Sequence, residues 1–123
     1  MQRPPLGLSL RVTYVKTRDG DTVEVKVQGS AFIFAIRLLD CWCPPKNTPE
    51  GARATKFVEQ TLEQSDPADL SVYIPSLDTP HLLKHFTFDR VLAHLFIEDN
   101  LTLGELLVDK KLASRTKGGN LGE

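Results

Sequence analysis

LSLRVTYVKTRDGDTVEVKV, residues 8–27, alternates apolar and polar side chains twice around one turn. Leu8, Leu10 and Val12, followed by Tyr14 or Val15, share one face in the first half. Val23, Val25 and Val27 do so in the second, against Thr22, Glu24 and Lys26. A period of two is the spacing of a half-buried strand, because successive Cβ atoms point to opposite faces of a sheet. Strands are therefore expected over 8–17 and 22–27. Between them Arg18-Asp19-Gly20-Asp21 supplies a tight turn, with glycine expected to take a positive φ that a Cβ would disfavour.

The strand pattern continues beyond a second turn at Gln28-Gly29-Ser30. Residues 31–39 carry apolar side chains on both faces, which reads as a central strand. Pro44, Pro45 and Pro49 make 44–49 a surface loop, since proline removes donors and fixes φ. Thr48 then caps a helix with Pro49 in its first turn, and Ala54, Phe57, Val58 and Leu62 keep helical spacing to about Gln64. Residues 70–75 and 90–97 read as fourth and fifth strands, and 102–111 as a second helix with Leu103, Leu106, Leu107 and Lys110 along one face. Three strands, a helix, two strands and a helix match the order of an OB-fold, a mainly β (α+β) five-stranded Greek-key barrel with a helix between strands three and four.

Composition sets wide bounds. The 123 residues are 41% apolar and 25% charged with a formal net charge of −1, ordinary for one soluble domain. No global field draws in nucleic acid, so a polyanion would need a local basic cluster. The expected domain spans 1–113, followed by a flexible tail over 114–123 that holds three glycines and little to bury. The start, MQRPPLGLSLRV, lacks the shape of a signal peptide, and no apolar run reaches membrane-spanning length. A cytoplasmic or otherwise intracellular protein without a membrane partner is expected.

Four segments, taken in this order on this strand pattern, carry a resemblance: DGDTV (19–23), IRLL (36–39), DRVLA (89–93) and LGELLV (103–108) with Leu112-Ala113. Together they resemble the staphylococcal (thermo- or micrococcal) nuclease family, over roughly residues 11–113. That resemblance implies a calcium-dependent phosphodiesterase acting on DNA and RNA. Two aspartates hold the metal, a glutamate acts on the attacking water, and two arginines grip the scissile phosphate. Such a set neutralises a dianionic transition state while a base orients water, and hard oxygen ligands suit calcium.

Residue by residue, the resemblance puts Asp21 on the first metal ligand and Arg37 and Arg90 on the phosphate-binding arginines. The second aspartate and the glutamate fall on Trp42 and Pro45, neither of which can ligate calcium or take a proton. Asp40 and Glu50 are the candidate replacements, Asp40 because it shares strand parity with Trp42. Phe88 stands where the family commonly has a tyrosine near the nucleotide, keeping a stacking face without the hydroxyl. Trp42 itself is either a stacking surface or a filling for the lost metal site. Arg37 has a structural alternative, an ion pair with Asp40 or Asp21.

Three functions remain open at this point. The first is a nuclease relative that binds phosphates of DNA or RNA, single strands preferred, with hydrolysis weak or lost. The second is a working calcium nuclease using Asp21, Asp40 and Glu50. The third is a catalytically silent protein-interaction module. Zinc is disfavoured, because Cys41-x-Cys43 is tighter than usual zinc spacing and His81 and His85 lie in a long connection. In an extended strand the Cys41 and Cys43 Cα atoms would stand about 6.5 to 7 Å apart, at the edge of disulfide reach, so reduced thiols are expected. Lys110, Lys111, Arg115 and Lys117 form a basic run that either attracts phosphate or is a solvated tail.

Overall fold

The computed structural model describes residues 1–3, 7–75, 86–87 and 90–123. Its first two strands, β1 (Gly7–Asp19) and β2 (Thr22–Val27), form the antiparallel hairpin that the alternation demands, from Val12 opposite Val27 to Asp19 opposite Thr22. Val12, Val23 and Val25 point into the core, and Glu24 and Lys26 are only half-buried. Strand β1 is longer than its pattern suggests because it serves two neighbours. Its second half pairs β2, and its first half, Gly7 to Arg11, pairs β4 (Ser71–Pro75). A register shift between Tyr14 and Lys16 makes Val15 the extra residue of a bulge and leaves it exposed, so Tyr14 keeps the inward parity.

The third strand, β3 (Ile33–Leu38), is central as expected, with β2 antiparallel on one side and β6 (Arg90–Glu98) parallel on the other. It is shorter than 31–39 at both ends. Strand β6 also pairs β4, so hydrogen bonding runs β1, β2, β3, β6, β4 and back to β1. Among the described residues two further short strands flank β6: β5 (Phe86–Thr87) and β7 (Leu101–Thr102). The class is α+β, with a largely antiparallel sheet and two α-helices among the described residues. No described helix is long and apolar enough to cross a membrane.

Helix α1 (Pro49–Gln64) lies between β3 and β4 in the chain and packs on β1, burying Ala54, Val58 and Leu62. Helix α2 (Leu103–Asp109) buries Leu103 and Leu107. It is shorter than 102–111: Thr102 is its cap, receiving the Glu105 N–H at 3.1 Å, and Lys110 ends it as an exposed C-cap rather than joining the buried face. The tail is tied back through its backbone, with Gly122 N–H donating to the Ala113 carbonyl at 2.9 Å and Arg115 N–H to the Glu123 carbonyl at 3.1 Å.

Two glycines position the site. Gly20 has no positive φ; it is small because a Cβ there would stand 2.8 Å from the Cys43 sulfur and 3.0 Å from the Ala54 methyl. The turn thus lies directly on the loop after β3 and on α1. Gly51 does the same for the proline loop, where a Cβ would lie 1.8 Å from the Pro45 carbonyl oxygen. That carbonyl also receives the Thr48 hydroxyl at 2.6 Å, while Thr48 Oγ1 caps Gly51 N–H at 3.1 Å. Gly→Ala inside a helix ordinarily stabilises by about 0.5–1 kcal/mol. Gly51→Ala is expected to do the opposite, lowering the urea midpoint by an amount equivalent to at least about 1 kcal/mol, and a midpoint that rises would refute this account of the loop.

Candidate functional site

The β1–β2 turn carries two carboxylates to the end of the sheet. Asp21 N–H donates to Asp19 Oδ1 at 3.1 Å, and the Thr22 hydroxyl donates to Asp21 Oδ1 at 3.4 Å. Across the β2–β3 pairing Thr22 stands opposite Arg37, which brings the guanidinium to the same corner. Arg37 Nη2 lies 3.5 Å from Asp21 Oδ2, with both side chains largely buried at 12% and 15% exposure. Cys43 N–H donates to the same Oδ2 at 3.2 Å. A guanidinium taken out of water requires such partners; Arg37 Nη1 has two more, the carbonyls of Leu38 and, at 2.8 Å, Cys41.

The Trp42 ring closes this cluster from outside. Its centroid is 4.4 Å from Arg37 Cζ, within cation–π range, and its side chain remains 39% exposed. A second cation, Lys117 Nζ, lies 5.8 Å from the same centroid. The Trp42 backbone forms an antiparallel bridge with Ser114, donating at 2.8 Å and accepting at 3.0 Å. Asp21, Arg37 and Trp42 are thus in one contact group.

Among the described residues Arg37 forms its ion pair with Asp21 and not with Asp40, and the parity argument for Asp40 does not hold, because β3 ends at Leu38. Leu39 and Asp40 make a turn in which Asp40 adopts φ +53°, a left-handed conformation that aspartate tolerates, and its side chain is exposed. It lines a cleft of about 480 Å³ with His94, Thr102, Glu105 and Arg115. Of the two partners offered to Arg37 by the sequence, the structure selects Asp21. Glu50 is exposed in the first turn of α1, where a negative charge favours the helix dipole. Arg90 opens β6 opposite Ala35, on the face that Arg37 occupies, and is half-buried. Phe88, His81 and His85 lie outside the described residues.

The sequence reading gives no site role to Asp19 or Ser114, and it places Lys117 in a basic run without its contact to Trp42. The Asp-Gly-Asp spacing was a usable signal for Asp19, since a turn of this kind returns both carboxylates to one edge. Nothing local marks Ser114 as the partner of a residue in the loop after β3. Cys41 and Cys43 are both free, the first buried and the second half-buried. The contact with Cys41, followed by burial, pushes the Cys43 thiol far up and keeps it protonated. Among the described residues no three of His, Cys, Asp and Glu converge as a metal group.

The fit to calcium can be tested on donors. Calcium takes six to eight oxygen ligands. Here Asp21 Oδ2 faces a guanidinium and a backbone N–H, and the two further positions that the resemblance would give to carboxylates hold an indole and a proline. This donor set does not fit the ion that the resemblance implies. Comparison with known proteins finds no family model and no curated protein that matches the chain.

Burial, then the Asp19 contact, push the Asp21 carboxyl up from 3.8 to about 6, against the pull of Arg37. Asp19 also feels burial, but hydrogen bonds from Asp21 and Thr22 outweigh it and hold its carboxyl below the ordinary value. Because Asp21 is raised, the folded chain keeps a proton that the unfolded chain has lost between pH 3.8 and about 6, so this group's contribution to stability declines as pH rises through that window. Asp19 acts in the opposite sense, its contribution being lost as pH falls below the ordinary carboxylate range. Urea midpoints followed by the fluorescence of Trp42, the only tryptophan, should show the decline in the parent chain and its absence in Asp21→Asn. An equal decline in both would assign it elsewhere.

Proposed function

We propose that this chain is a staphylococcal-nuclease-like domain of OB-fold type that binds single-stranded nucleic acid without efficient hydrolysis. The observation that carries the reading is the half-exposed Trp42 ring, backed by the buried Arg37 guanidinium at 4.4 Å. An aromatic face beside fixed cations is what sequence-tolerant single-strand binders use, and stacking of a base on it is worth about 1–3 kcal/mol. The circuit of β1, β2, β3, β6 and β4, with a parallel β3–β6 pair, supports the OB assignment.

Arg37 and Arg90 then act differently. Arg37 holds Trp42 outward and contributes charge, while its donors are engaged by Asp21, Leu38 and Cys41. Arg90, on the same face, is the phosphate contact. Hydrolysis is weak or lost because no carboxylate occupies the positions of Trp42 and Pro45, and Asp40 and Glu50 sit exposed on a turn and a helix start. One observation favours a second reading, a catalytically silent protein-interaction module: Arg37 is so fully engaged that it has no need of a phosphate.

Incubation with single-stranded DNA and RNA, first with calcium and then with chelator, separates these readings. Retention without cutting is expected in both conditions, weakened by added salt and reduced about 5- to 100-fold in Trp42→Ala. Calcium-dependent cutting abolished in Asp21→Ala would replace the proposal with an active nuclease. Neither retention nor cutting would leave the interaction module.

A further inference from the structure

The segment after α2 folds over Trp42. Ser114, itself buried, forms the two-bond backbone bridge to Trp42, and beyond it the chain is held by polar bonds of its own. The Ser114 hydroxyl donates to the Thr116 carbonyl, and Gly119 N–H donates to that same carbonyl at 3.1 Å. Residues 115–119 are all exposed and none of them is apolar apart from two glycines, so little apolar surface anchors this strap. Exposed backbone hydrogen bonds with little burial mark the low-stability end of a fold, where opening is cheap. The strap nevertheless delivers the Lys117 ammonium to 5.8 Å from the Trp42 ring centroid.

We infer that residues 115–119 are an autoinhibitory strap whose Lys117 competes with a nucleic-acid base for the Trp42 ring. The inference rests on the nucleic-acid reading for its ligand, although the strap contact itself does not. Arg37 backs the ring from the buried side, whereas Lys117 approaches from an exposed segment tied back only by a few backbone hydrogen bonds, among them Gly122 N–H to the Ala113 carbonyl and Arg115 N–H to the Glu123 carbonyl. A base stacks only on the open form, so the apparent affinity is the intrinsic one reduced by the open fraction. Deleting the lysine charge should therefore tighten binding, the reverse of what deleting a phosphate contact does.

The test uses the full chain and its single tryptophan. Acrylamide quenching of Trp42 is compared in the parent, Lys117→Ala and Lys117→Arg, and each is titrated with a thymidine oligonucleotide. An exposed cation–π contact shifts an equilibrium by about two- to fivefold. Lys117→Ala is expected to raise quenching and tighten oligonucleotide binding by that factor, with Lys117→Arg close to the parent. Weaker binding in Lys117→Ala makes Lys117 a phosphate contact and overturns the strap, as does unchanged quenching. Raised quenching with no oligonucleotide bound by any variant supports the strap contact and rejects the nucleic-acid reading instead.

Discussion

The largely buried Arg37–Asp21 pair is the constraint from which the corner at the end of β3 is built. A guanidinium at the end of a central strand cannot remain without partners in a low-dielectric environment. Its four contacts come from different parts of the chain: the β1–β2 turn through Asp21, the end of β3 through Leu38, and the loop beyond through Cys41 and the Trp42 ring. Asp21 reciprocates by receiving the Cys43 N–H and by offering its backbone carbonyl to Leu38 N–H at 2.9 Å. Three chain segments are thereby fixed against one another by a single charge. Gly20, packed against Cys43 and Ala54, gives them the space to meet.

This arrangement sets the environment of Trp42. The indole stands half-exposed on its loop with the Arg37 guanidinium beneath it, and the bridge to Ser114 fixes its backbone. Rigid aromatic surface is the efficient kind for stacking, since little side-chain freedom is lost on binding. The same fixed charge disfavours a metal at this corner, because a guanidinium and a backbone N–H already satisfy the carboxylate oxygen that would have to ligate it.

Much of the fold was legible from periodicity. Val23, Val25 and Val27 announced β2, Thr48-Pro49 announced the start of α1, and the apolar run around Ile36 announced a strand with neighbours on both sides. What escaped depended on partners distant in sequence. Strand β1 is paired by β4 over Gly7 to Arg11, and the bulge at Val15 shifts the register within its later pairing to β2. Strand β3 stops at Leu38 because Asp40 turns left-handed, which no alternation pattern records.

The sequence by itself determined the order of the five main strands and two helices but not the short β5 and β7, together with the presence of Arg37 on a central strand and of an indole and a proline at Trp42 and Pro45. Those follow from local pattern and from the side-chain chemistry available at each position. Only the tertiary structure decided that Arg37 pairs with Asp21 rather than Asp40, that Asp19 couples to Asp21, and that the chain near Ser114 lies on Trp42. Each is a choice among partners brought together by sheet register and loop packing, and a charge settles on the partner that geometry delivers within a few ångströms.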